Sequence, residues 1–290
     1  MNLEKTGVWF FNDRMTADAA AHAAQRIEAL GYSALWIPEA TGRNPFAHAA
    51  WLLANTTSLI VASGIANLYN REPGVTLAAQ NTLAEQSGNR FLLGLGVSHK
   101  PLVEGVRGLT YGPPIATMRA YLEKMDASPY SGPELDAPAP RVIAALGPRM
   151  LEVAREQCDG AHPYFTSPDH TAMAREILGP GKWLCVEQKI ILEEDPAKAR
   201  ELARQSARGY IALPNYRNNW LRSGMTESDL DDGGSDKFID ATFAWGSADA
   251  IRARIDEHYA AGASHVCIQP VNPNGKFGEL DWAALEVLAP

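Results

Sequence analysis

The 290-residue sequence predicts an α/β chain folded as a (β/α)8 barrel. Eight strand-like apolar runs alternate with helix-length segments along the whole chain, with no repeat of shorter period. The connections are too short for anything but right-handed crossovers between parallel strands. The runs, residues 91–95 foremost, lack the alternation of a half-solvated sheet and read as strands covered on both faces. An open doubly wound sheet is the alternative, but eight regular units favour closure into a single domain over residues 1–290.

The elements follow in order. Residues 7–11 form the first strand, ending at Asn12-Asp13. Thr16 caps a helix in which Ala20, Ala24, Ile27 and Leu30 recur at helical spacing, and Gly31 closes it. Residues 33–39 are the second strand, which ends in the carboxylate of Glu39. Asn44 with Pro45 starts the second helix, to Ala54. Residues 58–66 are the third strand, and Pro73 opens the helix that runs to Ser87. The stretch 89–100 holds the fourth strand and delivers Ser98, His99 and Lys100 at its carboxyl end. An excursion over 100–117 precedes a helix over 118–125 and a proline-rich surface loop, 128–140. Strand five is 141–145 and its helix runs to Glu156. Strand six is 160–165, with a helix from Ser167 or Asp169, and strand seven is 183–192. Residues 195–243 interrupt the rhythm with an extra helical insertion between strands seven and eight, including an acidic exposed run over 226–236. Gly246-Ser247 caps a helix, residues 265–271 are strand eight, and a short helix over 281–288 ends the barrel.

A formal charge of −8 argues against nucleic acid or an anionic membrane as partner, since both call for a basic face. Cys158, Cys185 and Cys267 are too scattered for a disulfide framework or a zinc site and read as buried thiols. Met1-Asn2-Leu3-Glu4-Lys5-Thr6 has no apolar core of signal-peptide length, and no run approaches the roughly 18 apolar residues of a membrane span. A soluble, cytoplasmic protein acting on a small molecule is expected.

Barrel enzymes place their chemistry at the carboxyl ends of strands. That rule selects Asn12, Glu39, Asn67, Ser98, His99, Lys100, Gly147, Arg149, Tyr164, Gln269 and Asn272. His162 and Tyr164 of strand six, with Asn12, are the candidates to line a substrate pocket. No metal-ligand spacing and no Gly-x-Ser-x-Gly elbow occurs, so no metal is expected and a bound organic cofactor becomes the natural source of reactivity. In Leu146-Gly147-Pro148-Arg149 the glycine lets the backbone turn and proline presets a first helical turn. The free N–H groups there make a phosphate seat, to which Arg149 adds charge; a plain strand-to-helix turn is the alternative.

Five stretches in order, Ser63-Gly64-Ile65-Ala66, Asn70-Arg71-Glu72-Pro73, Gly94-Leu95-Gly96-Val97-Ser98-His99, Ala145-Leu146-Gly147-Pro148-Arg149 and Gly262-Ala263-Ser264-His265-Val266, resemble the bacterial luciferase-like family. The resemblance covers essentially the whole chain and is closest to the branch that uses the deazaflavin coenzyme F420. It implies a ring at the carboxyl ends of the strands, behind which Gly64-Ile65 forms a non-prolyl cis peptide. It further implies Gly64, Ile65, Ala66, Gly96, Val97 and Ser98 as cofactor wall. The loop Ala145, Leu146, Gly147, Pro148 and Arg149 holds the phosphate, and Glu39 lies near the ring as a catalytic residue alongside His99. Sugar-phosphate dehydrogenases of that branch have a histidine where this chain has Ala40 and a glutamate where it has His99, so their reaction is not expected here.

The resulting expectation is hydride transfer between F420 and a small organic substrate, with His99 as proton donor or relay because imidazole titrates near neutrality. The rivals are an FMN-dependent monooxygenase and a barrel that binds a flavin or deazaflavin without turnover. A homodimer is implied through residues 47–53 and 77–83.

Overall fold

In the computed structural model, which describes residues 1, 3, 6–275 and 279–290, the eight expected strands close on themselves. Asn2, Glu4 and Lys5 of the amino-terminal stretch lie outside the described residues. The strands are β1 (Thr6–Trp9), β2 (Ala34–Ile37), β3 (Ile60–Ser63) with its continuation β4 (Ala66–Asn67), and β5 (Phe91–Gly96). After them come β6 (Arg141–Ile143), β7 (Gly160–Ala161), β8 (Trp183–Ile191), the short β9 (Phe243–Trp245) and β10 (His265–Pro270). Closure is made by β10, which pairs in parallel with both β8 and β1, setting Lys189 opposite Gln269 and Val8 opposite Ile268.

Strand alternation sorts the side chains into two cores. On β2, Leu35 and Ile37 point outward and join Val61, Leu93 and the helices, while Ala34 and Trp36 point into the lumen with Trp9, Leu92, Cys185 and Cys267. Full burial of such side chains contributes about 1.5–3 kcal/mol each. Both faces are covered, which is why the runs carry no polar alternation.

The helix signals stand where the caps place them. Thr16 accepts from the Ala19 N–H at the start of α1 (Ala17–Ala29), and Gly31 follows its end at φ 90°. Asn44 accepts from Phe46 and Ala47 before α2 (Pro45–Ala54), and Pro73 opens α3 (Pro73–Ser87). The remaining helices are α4 (Pro114–Asp126), α5 (Pro148–Gln157), α6 (Pro168–Leu178), α7 (Pro196–Ile211), α8 (Pro214–Arg222), α9 (Asp236–Thr242), α10 (Ala248–Ala260) and α11 (Trp282–Val287). Among the described residues, no helix is long and apolar enough to cross a membrane.

Three differences from the sequence reading matter. Helix α4 begins at Pro114 rather than at Met118, with proline supplying the first-turn φ. Strand six ends at Ala161, because the chain then leaves the ladder: Phe165 takes φ 59° and its N–H donates to Glu187 at 2.8 Å. The insertion is not purely helical, since β9 pairs with the end of β8 (Ile190 opposite Ala244). Its acidic run is a built turn in which the Asp229 carboxylate accepts from Thr226, Ser235 and Lys237.

Candidate active site at the carboxyl ends of the strands

The space left by the two β5 glycines is filled by the chain itself. A Cβ on Gly94 would stand 1.9 Å from the Ser63 carbonyl oxygen, and one on Gly96 would stand 2.6 Å from the Ile65 side chain. Gly96 therefore serves the close approach of β3 and Ile65. The Gly64-Ile65 peptide is cis, as the resemblance implies, and Trp9 Nε1 donates to the Gly64 carbonyl at 3.2 Å. Ala66 is fully buried and pairs with Leu95. Val97 and Ser98 continue β5 at the half-buried rim, with Ser98 at φ 55°.

Glu39 is committed to the hydrogen-bond donors around it. One carboxylate oxygen accepts from Asn70 Nδ2 (2.8 Å) and Arg71 (2.5 Å), the other from the Asn67 N–H (2.7 Å) and Arg71 (2.8 Å). Four charge-assisted bonds on one almost wholly buried carboxylate make a brace between the β2 end and the segment after β4. A proton carrier needs a free lone pair, and Glu39 has none of its four to spare.

His99 leans on the insertion. Its Nδ1 lies 3.2 Å from Asn215 Oδ1, and its ring centroid is 5.6 Å from that of Tyr216, both on α8. Burial, partly offset by the Asn215 bond, holds the imidazole below its ordinary pKa. Tyr216 in turn sits 6.1 Å from Tyr164 and 5.3 Å from Tyr210, so one aromatic wall joins the β5 end to the β7 end.

The turn after β6 has the geometry of an anion seat. Gly147 precedes α5 without a side-chain cap, so its own side does not occupy the first-turn N–H groups. Ala145 is buried, and the Leu146 carbonyl accepts from His170 Nε2 at 2.7 Å, which fixes the turn. Pro148 is the first helical residue. Arg149 is exposed, and so is Arg222 of α8, whose guanidinium stands 3.8 Å from where a Cβ on Gly147 would lie. The positive charge at this helix start comes from the insertion.

Of the substrate-pocket candidates, His162 is misplaced by the sequence reading. It is 1% exposed inside the lumen, stacked on Trp36 at 4.3 Å, with Nδ1 2.8 Å from the Cys185 carbonyl. Burial pulls its pKa down to about 4, so it is a neutral packing residue beneath the strand ends. Asn12 is also buried, with Oδ1 unpartnered. Tyr164 does reach the top: its hydroxyl donates to Gln269 Oε1 at 2.8 Å and lies 2.8 Å from the Tyr210 hydroxyl.

Below Tyr164 lies a pair that sequence reasoning missed. Lys189 Nζ is 3.2 Å from Glu187 Oε1 and 3.3 Å from Gln269 Oε1, with both charged side chains fully buried. The ammonium faces the rings of Tyr164 (3.8 Å), Phe165 (4.2 Å) and Tyr210 (5.0 Å). The sequence signal was a run of three polar residues, Glu187, Gln188 and Lys189, inside an otherwise apolar strand, of which the alternate pair Glu187 and Lys189 shares one face. Asn215, Tyr216 and Arg222 had no such signal, being ordinary residues of a helical insertion. A cavity of about 200 Å³ opens beside this group, between the ends of β1 and β10. Another, of about 810 Å³, lies at the opposite mouth of the barrel, by the proline-rich loop and Arg141 and Lys182, away from all these groups.

Known proteins share this architecture. A 5,10-methylenetetrahydromethanopterin reductase of Methanolobus tindarius is 26% identical over 298 residues, covering 88% of this chain and 91% of that protein. An F420-dependent secondary alcohol dehydrogenase, solved with an F420-acetone adduct, superposes with TM-score 0.76 at 14% identity over 99% of this chain and 98% of its own. The coenzyme F420-dependent tetrahydromethanopterin reductase of Methanopyrus kandleri gives TM-score 0.72 at 17% identity over 100% and 98%. The family model described as luciferase-like monooxygenase matches residues 4–265, and the chain belongs to that family.

Proposed function

We propose that the chain is an oxidoreductase that passes hydride between coenzyme F420 and a small organic substrate. The observation that carries this reading is the uncapped α5 start at Gly147 with the Arg222 guanidinium beside it, a fitting seat for a cofactor phosphate at the strand ends. The choice of F420 over FMN is supported by the reductase and dehydrogenase described above, whose names carry that coenzyme. When bound, the deazaflavin supplies a carbon centre that exchanges hydride and favours this over oxygen chemistry.

The chain's own residues supply the rest. Backbone N–H groups of residues 147–149 and Arg222 would hold the phosphate, while Gly64, Ile65, Ala66, Val97 and Ser98 would form the wall against the ring. Glu39 holds that wall's neighbouring segment through Asn67, Asn70 and Arg71. His99, held below its ordinary pKa by burial and in contact with Asn215, would pass a proton at the rim. Two such chains would pair through the exposed face of α2 and α3, where Trp51 is 40% and Val75 58% exposed.

Titrating the purified protein separately with F420 and FMN, with fluorescence quenching as readout, tests the reading. Saturable quenching by F420 at lower concentration than FMN is expected. Binding of FMN alone would transfer the chain to the oxygen-using side of the family.

A further inference from the structure

We propose that the cavity of about 200 Å³ between the ends of β1 and β10 is a ligand site for a small uncharged molecule made of one aromatic ring and one hydrogen-bond acceptor, and that Gln269 selects the acceptor. Lys189 and Tyr164 are positioning residues that act through Gln269 and touch no ligand. Occupancy of this cavity does not depend on which coenzyme the barrel takes.

Gln269 lines the cavity, and its neighbours hold its amide in one orientation. Its Oε1 accepts from the Tyr164 hydroxyl at 2.8 Å and from Lys189 Nζ at 3.3 Å. An ammonium carries donors only, so the amide oxygen faces it and the –NH2 group is turned to the other side. That –NH2 makes no hydrogen bond among the described residues and remains accessible to water, so it gives onto the cavity. With both lone pairs of Oε1 taken, this corner of the cavity offers a donor and no acceptor.

The rest of the lining says what the acceptor is attached to. Trp9 and Phe11 meet edge to face with centroids 4.7 Å apart, and Phe11, Leu202 and Val271 are each only partly covered by the luminal core. An apolar cavity of about 150 Å³ takes up benzene, so one of about 200 Å³ holds a single six-membered ring with a short substituent. Charge is disfavoured in both senses. Glu187 balances the buried ammonium at 3.2 Å, and the exposed Glu279 carboxylate stands at the rim, so an anion meets repulsion at the mouth and no net positive charge within. A cation would meet the amide –NH2, which has no lone pair to give it.

This assigns a purpose to the buried ion pair. The Tyr164 hydroxyl, 2.8 Å from that of Tyr210, can donate or accept, and alone would tolerate either face of the Gln269 amide. The ammonium removes that freedom, and Glu187 holds the ammonium.

Benzonitrile and phenylacetylene have the same shape, and only the first carries an acceptor. Titration of the coenzyme-free protein, followed by tryptophan fluorescence and saturation-transfer NMR, should show saturable binding of both. Benzonitrile should bind about fivefold tighter, the scale of one net hydrogen bond. Gln269→Leu should erase that preference with phenylacetylene affinity within twofold. Gln269→Glu keeps an oxygen for Tyr164 and Lys189 but turns a second oxygen on the cavity, so the preference should reverse. Lys189→Met alone strands the Glu187 charge, so Glu187→Gln/Lys189→Met is the paired variant. It should cut the preference below twofold with phenylacetylene affinity and near-UV circular dichroism unchanged. Val271→Trp, which fills the cavity, should abolish binding of both, and benzoate should bind the parent at least tenfold more weakly than benzonitrile. No saturable binding by the parent, or binding that survives Val271→Trp, overturns the site. Equal affinities for the two probes, or a preference kept in Gln269→Leu, overturn the selecting role of Gln269. A preference undiminished in the double variant overturns the lysine's positioning role, and benzoate binding as tight as benzonitrile overturns the uncharged class.

Discussion

Nδ1 of His99 lies 3.2 Å from Oδ1 of Asn215, a contact that ties the end of a barrel strand to a helix more than a hundred residues later. The bond raises the imidazole pKa against the stronger lowering by burial. Asn215→Leu should therefore move the His99 titration to lower pH, read by proton NMR of the ring. His99→Gln should cost turnover at least tenfold while leaving F420 affinity within about twofold, as general acid–base contributions predict. Equal turnover in His99→Gln would remove it from the proton path.

Glu39 and Arg71 form a nearly solvent-free two-pronged pair, with side chains 6% and 9% exposed. Removing one partner leaves the other charge buried, so Glu39→Ala or Arg71→Met should each lose about 3–5 kcal/mol of unfolding free energy. The double variant should lose less than the sum, because no charge is stranded. Urea denaturation measures all three; additive losses would show that the pair is not coupled.

Acid should weaken the fold in a defined window. Burial draws His48 and His162 down to about 4 and His258 to about 3, against an ordinary 6.5. Between those values the unfolded chain binds protons that the folded chain excludes, so stability rises with pH there and is lost as pH falls from 6.5 toward 4. Each unit of difference is worth about 1.4 kcal/mol. Urea midpoints at several pH values should show the slope, and His258→Gln should flatten it. A midpoint constant across the window would contradict neutral buried rings.

Arg222, not Arg149, should govern phosphate affinity. Arg222→Ala is expected to weaken F420 binding by about tenfold, with a smaller salt dependence, whereas Arg149→Ala should change it less than twofold. Fluorescence titration at two ionic strengths separates the two; the opposite order would return the role to the exposed arginine of α5.

Trp51→Glu should shift the protein toward monomer in sedimentation velocity, since it puts charge at the centre of the apolar α2 face. An unaltered dimer would move the interface elsewhere, and a monomeric parent would remove it.

The barrel was legible because its signals are local. Thr16, Asn44 and Pro73 announce helix starts by their own side chains, and residues 91–95 announce burial by lacking polar alternation. The strand-end rule also placed Glu39, His99 and Tyr164 just past the carboxyl ends of their strands. What it could not give was the state of each group there. Four hydrogen bonds on Glu39, the stacking of His162 under Trp36 and the filling of Gly96 by Ile65 are all long-range contacts. The insertion was the least legible part, since an asparagine, a tyrosine and an arginine on a solvated helix carry no mark of where that helix will lie.

That helix has a metric consequence. Asn215 and Arg222 are seven residues apart on α8, which sets them about 10 Å apart along its axis. One rigid rod thus touches the imidazole at one end and the anion seat at the other, and works as a gauge of the interval between them. A single residue inserted within α8 would turn one end against the other by about 100°. The two contacts could then no longer be satisfied together, so the length of this short helix, as much as its composition, decides whether His99 and the α5 start can both be met by one element.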